Sequence, residues 1–183
     1  MASLSAWIRR RSTSVVALLA LLLFIAFTAT VLPRQAATAD AVSGGIGSPD
    51  SSFLYTPDDL YDWAEGYGPE GRRDYVRARL TFDVIWPLIY TLFLATAISW
   101  LFSRAFPPGS RWQLLNLVPI LGLLFDYIEN LAAATVMARY PAQTPLLDWV
   151  APLATPTKWL FVNGSFVVVL LGLLALLWRR LRR

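Results

Sequence analysis

Asp126, Glu129 and Asn130 lie three and four residues apart inside Leu114–Met137, an otherwise apolar run reading Phe-Asp-Tyr-Ile-Glu-Asn at its centre. In a helix that spacing puts all three side chains on one face. Two carboxyls one turn apart could act as an acid–base couple, which makes Asp126 and Glu129 the candidate catalytic residues. With Asn and Tyr they could offer oxygen ligands to a hard cation, or they could form ion pairs and hydrogen bonds that only hold helices together. About 20 helical residues cross the hydrocarbon layer, so carboxyls at that depth must be paired, protonated or turned toward a wet cavity. Gly122 and Ala133 continue the same face with small side chains that let another helix come close.

The groups that could complete such a site stand on two other segments. Read by threes and fours, Arg72, Arg79, Asp83, Trp86 and Tyr90 form a polar stripe descending from the surface into an apolar run. Lys158, the sole lysine, precedes the last apolar run. At about 1.5 Å per residue, Tyr90 and Glu129 come out at similar depth, Asp126 deeper, and Asp83 and Lys158 near the rim. Arg72, Arg79, Asp83, Tyr90, Asp126, Glu129, Asn130 and Lys158 are therefore the candidate ligand-binding residues, a polar pocket under a basic rim. Arg72, Arg73, Arg77 and Arg79 could hold a phosphate or carboxylate headgroup, or could pair with Glu70, Asp74 and lipid phosphates.

Composition narrows the chemistry. The 183 residues are 56% hydrophobic and 15% charged, with eight tryptophans, no cysteine and no histidine. This fits an all-α polytopic membrane protein and excludes disulfides, thiolate nucleophiles, imidazole catalysis and zinc- or haem-type sites. No metal or cofactor is assigned. The formal charge of +4 could suggest nucleic acid, but the arginines sit beside span ends, where anionic headgroups lie; no nucleic-acid partner is expected.

Arg9, Arg10 and Arg11 precede Val15–Leu32, eighteen uncharged residues that read as a first span. The competing reading is a signal peptide cleaved after Ala37-Thr38-Ala39, but a signal core is about 7–15 residues long, which favours an uncleaved anchor. Residues 33–55, rich in Ala, Ser, Gly and Asp with Pro33 and Pro49, read as a flexible extracytoplasmic linker. Thr56-Pro57-Asp58-Asp59 is a helix start, with Thr as cap, Pro at the first position and acids at the positive end of the dipole. The short helix runs to about Glu65, and its Leu60, Trp63 and Tyr67 face suits a membrane surface or the other helices. Pro69 opens the next helix, which runs into Val84–Ser103, the second span, with a kink expected at Pro87. Arg104 to Arg111 forms a tight turn, and Leu114–Met137 is the third span. Tyr140–Pro156, with four prolines, suggests a broken loop with a short interfacial helix after Thr144. Trp159–Trp178 is the fourth span, and Arg179, Arg180, Arg182 and Arg183 close the chain.

Placing the N-terminus in the cytoplasm leaves nine arginines and no acid on that side, a positive-inside pattern that assigns both termini there and residues 33–80 and 139–157 outside the cell membrane. Residues 1–32 are then a tail and first span, and residues 56–183 a membrane domain, the whole forming a four-helix bundle with short extracytoplasmic amphipathic helices.

Gly68-Pro69-Glu70-Gly71-Arg72-Arg73-Asp74-Tyr75, followed by Asp83, Tyr90 and the Asp-x-x-Glu-Asn motif, resembles a pattern in bacterial four-span integral membrane proteins, over about residues 55–178. The resemblance implies that these segments and Lys158 belong to one design, and it carries no activity with it. The leading expectation is a membrane protein binding a small ligand, a lipid headgroup or a proton-coupled solute in an outward-facing pocket. Alternatives are an intramembrane enzyme using the paired carboxylates and an assembly subunit whose acids meet another membrane protein or a second copy.

Overall fold

The computed structural model describes residues 2–182, with only the backbone at residue 50. The regular structure of the described residues is all helical, without strands: α1 (Ala2–Arg11), α2 (Ser14–Thr30), α3 (Leu32–Ser43), α4 (Pro57–Gly66), α5 (Gly68–Leu80), α6 (Phe82–Ala105), α7 (Val118–Arg139) and α8 (Leu147–Leu181). Short 3₁₀ turns occupy Pro49–Ser51 and Arg111–Leu117. Four stretches, Ser14–Ser43, Gly68–Ala105, Arg111–Arg139 and Leu147–Leu181, are long and apolar enough to cross a membrane.

The local starts follow the residues. Thr13 caps α2 by accepting from the Val16 amide at 3.3 Å. At α4, Thr56 accepts from the Asp59 amide at 3.3 Å while the Asp59 carboxylate accepts from the Thr56 amide at 2.7 Å, a reciprocal box with Pro57 just inside it. These bonds hold the exposed Asp59 carboxyl below the usual carboxylate range, the backbone bond from Thr56 being the main cause.

Several elements differ from the sequence reading: the helix opened by Pro69 breaks at Thr81 before the second span, and the expected third span begins within the 3₁₀ turn Arg111–Leu117 that precedes α7. The first half of the expected linker is helix: α3 continues α2 across Val31 and ends at Gly44, whose φ of 58° is the left-handed cap that glycine adopts freely. Ala36, Ala37, Ala39 and Ala41 favour helix and Pro33 sits in its first turn, where its missing N–H costs nothing. In the expected loop Tyr140–Pro156, residues 140–146 are non-helical, but the helix expected after Thr144 is not short: α8 starts at Leu147 and runs unbroken through Pro152 and Pro156 into the last span. Ala151 and Thr155 are fully buried there, so packing holds a backbone that proline would weaken in isolation.

α8 packs along α7 and also against α6, while α6 meets α2 and α7. Close approach depends on glycine: a Cβ on Gly122 would lie 2.9 Å from Val162 Cγ2, and one on Gly172 would lie 2.7 Å from the Phe102 ring. At the other end α4 buries Leu60 and Ala64 beside Tyr55, Tyr67 and Tyr75, against Ala132, Ala133, Val136 and Met137 of α7 and Ala151 of α8. Its aromatic face therefore serves the core. Tyr67 donates to the Gly47 carbonyl at 2.7 Å, and burial pushes its hydroxyl up to about 12, so it remains a donor. Burial also pushes the Tyr55 hydroxyl up.

Candidate functional site

The middle turns of α7 present Asp126, Glu129 and Asn130 to α5, α6 and α8, as the shared face requires, and all three are buried. Glu129, 1% exposed, meets Lys158 of α8 at 2.5 Å. Burying either charge alone would be costly, so the pair stands or falls together. Lys158 is consequently sunk among the helices at 5% exposure, deeper than its expected place at the rim. Its ammonium also lies 5.2 Å from the centre of the Trp159 ring.

A second set of contacts runs through Asp126. Tyr90 of α6 donates its hydroxyl to Asp126 Oδ2 at 2.9 Å, and Asn130 Nδ2 donates to Asp126 Oδ1 at 2.8 Å. The Asn130 carbonyl oxygen accepts from Arg79 at 3.4 Å, and Arg79 donates to Asp83 Oδ2 at 2.7 Å. A continuous polar chain thus joins α5, α6 and α7, with Arg79 seated 4.4 Å above the Tyr75 ring. The junction at Thr81, whose hydroxyl bonds the Arg77 carbonyl at 2.7 Å, separates α5 from α6 and sets Arg79 and Asp83 on either side of the break.

Beside this chain lies a cavity of about 690 Å³ between α2–α3, α5–α6 and α8. Arg79, Asp83, Tyr90, Asp126 and Lys158 line it, and Phe24, Trp86, Trp159 and Phe166 supply aromatic wall. Of the remaining candidates, Glu129 and Asn130 stand behind the lining, and Arg72 stands apart from it. Arg72 donates to the Ala64 carbonyl at 2.6 Å and covers the Tyr140 ring at 4.7 Å, so it ties the end of α4 to the end of α7. Arg73 meets Glu70 at 3.5 Å on the exposed surface, where such pairs contribute little.

Sequence reasoning missed the wall contributed by α3, where Gln35, Thr38, Ala39 and Val42 border the cavity. These residues have no motif, and only the helical state of the expected linker brings them there. Trp86 and Trp159 also line the cavity, a role that depends on which helix stands opposite them.

Chemically, Asp126 is an acceptor with one neutral donor on each oxygen, facing the cavity. Glu129 is committed to Lys158, which separates the two carboxyls into different roles and weakens the acid–base couple that their spacing suggests. Among the described residues no three acidic side chains converge in a way that would hold a metal ion. The chain matches no family model, no curated protein and no solved structure.

Proposed function

We propose that the chain is a multi-pass integral membrane protein of the cell membrane, with both termini cytoplasmic, that binds a small ligand in a polar pocket reached from the extracytoplasmic side. The single observation that carries this reading is the cavity of about 690 Å³ with Arg79, Asp83, Asp126 and Lys158 along its wall. Ion pairs that served only to join helices would need no space beside them, whereas a volume in the range of small-molecule sites, with few convergent polar groups among aromatic walls, suits a ligand. Four apolar stretches and the clustering of arginines beside one set of span ends support the membrane setting. Exposed Leu18, Leu19, Leu22 and Leu23 on α2 and Leu170, Leu171 and Leu174 on α8 suit contact with acyl chains. Commitment of Glu129 to Lys158 weighs against the alternative of an intramembrane acid–base enzyme.

The absence of native cysteine makes accessibility testing direct. Single cysteines at Ala39 and Asn163 in the cavity wall, at Gly45 and at Gly109 would be challenged in intact cells with a membrane-impermeant maleimide. Labelling at positions 39, 45 and 163, with protection at 109, is expected. Labelling at 109 in place of 45 would reverse the orientation, and failure of 39 and 163 to react would remove the outward opening.

A further inference from the structure

The arrangement of charge around the cavity identifies a ligand class, on the reading that the cavity is a ligand site. The cluster brings together three carboxyls, Asp83, Asp126 and Glu129, and two cations, Arg79 and Lys158. Arg79 pairs with Asp83 at 2.7 Å and Lys158 with Glu129 at 2.5 Å. Among the described residues, the hydrogen-bond donors to Asp126 are the neutral Tyr90 and Asn130. These bonds use one acceptor site on each oxygen, and an ionised carboxylate offers about four, so the group bordering the cavity keeps acceptor capacity. At 7% exposure it has little access to bulk solvent for a countercharge. The surrounding wall is aromatic: Phe24 stacks on Trp86 at 5.7 Å, Trp86 meets Tyr90 edge-on at 5.8 Å, and Phe166 packs 6.0 Å from Phe24.

We propose that the cavity takes an organic cation, its charged head approaching Asp126 and its hydrocarbon part lying along the aromatic wall. A carboxylate among aromatic rings is the environment in which a weakly hydrated organic cation gains both an ion pair and ring contact. A small inorganic cation would need several converging oxygens, which the apolar wall does not provide. An anion would have to take the cations from carboxyls they already engage, leaving those acids buried and uncompensated.

The test uses the full chain in lipid nanodiscs, with tetraphenylphosphonium and tetraphenylborate as probes of nearly equal shape and opposite charge, and empty nanodiscs as the partition blank. Saturable binding of the phosphonium is expected, tighter than the borate. Asp126→Asn, which keeps the size of the side chain, should weaken the phosphonium by about tenfold or more, the scale of losing a charge-assisted contact. Ala39→Trp, placed on the exposed α3 wall, should obstruct the cavity and reduce binding, and Glu65→Gln on α4 should leave it unchanged. Preference for the borate, or full phosphonium affinity in a folded Asp126→Asn variant while Ala39→Trp still blocks it, would overturn the cation assignment and leave the pocket standing. Absence of saturable binding for both probes, or indifference to Ala39→Trp, would overturn the pocket itself. The ratio between the two probes in the unmodified chain decides the matter even if Asp126→Asn does not fold.

Discussion

Lys158 of α8 and Glu129 of α7 form an ion pair at 2.5 Å, with side chains only 6% and 2% exposed. Replacing one partner leaves the other charged and buried, so Lys158→Met or Glu129→Gln alone should each cost about 3–5 kcal/mol. The double variant should recover most of that loss, since two neutral groups need no pairing. Thermal unfolding in detergent of the two singles and the double measures this directly. Additive losses in the double would mean that the pair is not the source of the cost.

The hydroxyl of Tyr90 supplies one of the two neutral donors to Asp126. Tyr90→Phe keeps the ring and its edge contact with Trp86 but leaves a buried acceptor short of a donor, which should cost about 1–3 kcal/mol. The same measurement on Tyr127→Phe is the comparison, because the Tyr127 hydroxyl bonds the Val84 carbonyl at 2.8 Å in an exposed setting. Equal effects would argue against any special demand at Asp126.

Gly122 permits α8 to approach α7, its missing Cβ lying 2.9 Å from Val162 Cγ2 and 3.5 Å from the Val162 amide. Gly122→Leu should therefore push the helices apart at a cost of about 1–3 kcal/mol, as overpacked cores do. Gly164→Ala, which meets nothing within 4 Å, should be neutral or slightly stabilising. A harmless Gly122→Leu would show that the two helices are free to separate there.

The cap of α4 should respond to acid in a defined direction. Asp59 has its carboxyl held below the ordinary value of 3.8 by bonds from Thr56, so its contribution is present above that value and is lost as pH falls through the depressed one. Hydrogen-exchange protection of the first-turn amides of α4, corrected for intrinsic rates, should hold down to the ordinary carboxylate range and fall only below it. In Asp59→Asn that acid-dependent step should disappear. Protection that falls already at mildly acidic pH in the unmodified chain would place the sensitivity elsewhere.

Much of this molecule is legible from residue order because the governing interactions are local. Helical periodicity puts Asp126, Glu129 and Asn130 on one face, Thr56-Pro57-Asp58-Asp59 carries its own cap, and long, largely apolar runs mark four stretches of membrane-crossing length. The α3 helix was obscured because its Ala-rich composition is shared by flexible segments. The continuity of α8 was obscured because Pro152 and Pro156 break an isolated helix and are overridden only when the faces around them are buried.

Partnership is what the order of residues could not supply. Spacing makes Asp126 and Glu129 look equivalent, yet α8 places Lys158 against one while α6 places Tyr90 against the other. Spacing also sets Arg72 on the same stripe as Arg79, and the structure sends Arg72 to Ala64 and Tyr140 and Arg79 to Asp83 and Asn130. Helical periodicity fixes which direction a side chain leaves its own helix, and the sequence by itself determined that much. What stands opposite depends on the rotation and depth of other helices, set by long-range packing such as the approach at Gly122, and only the tertiary structure decided which carboxyl is neutralised and which faces a cavity.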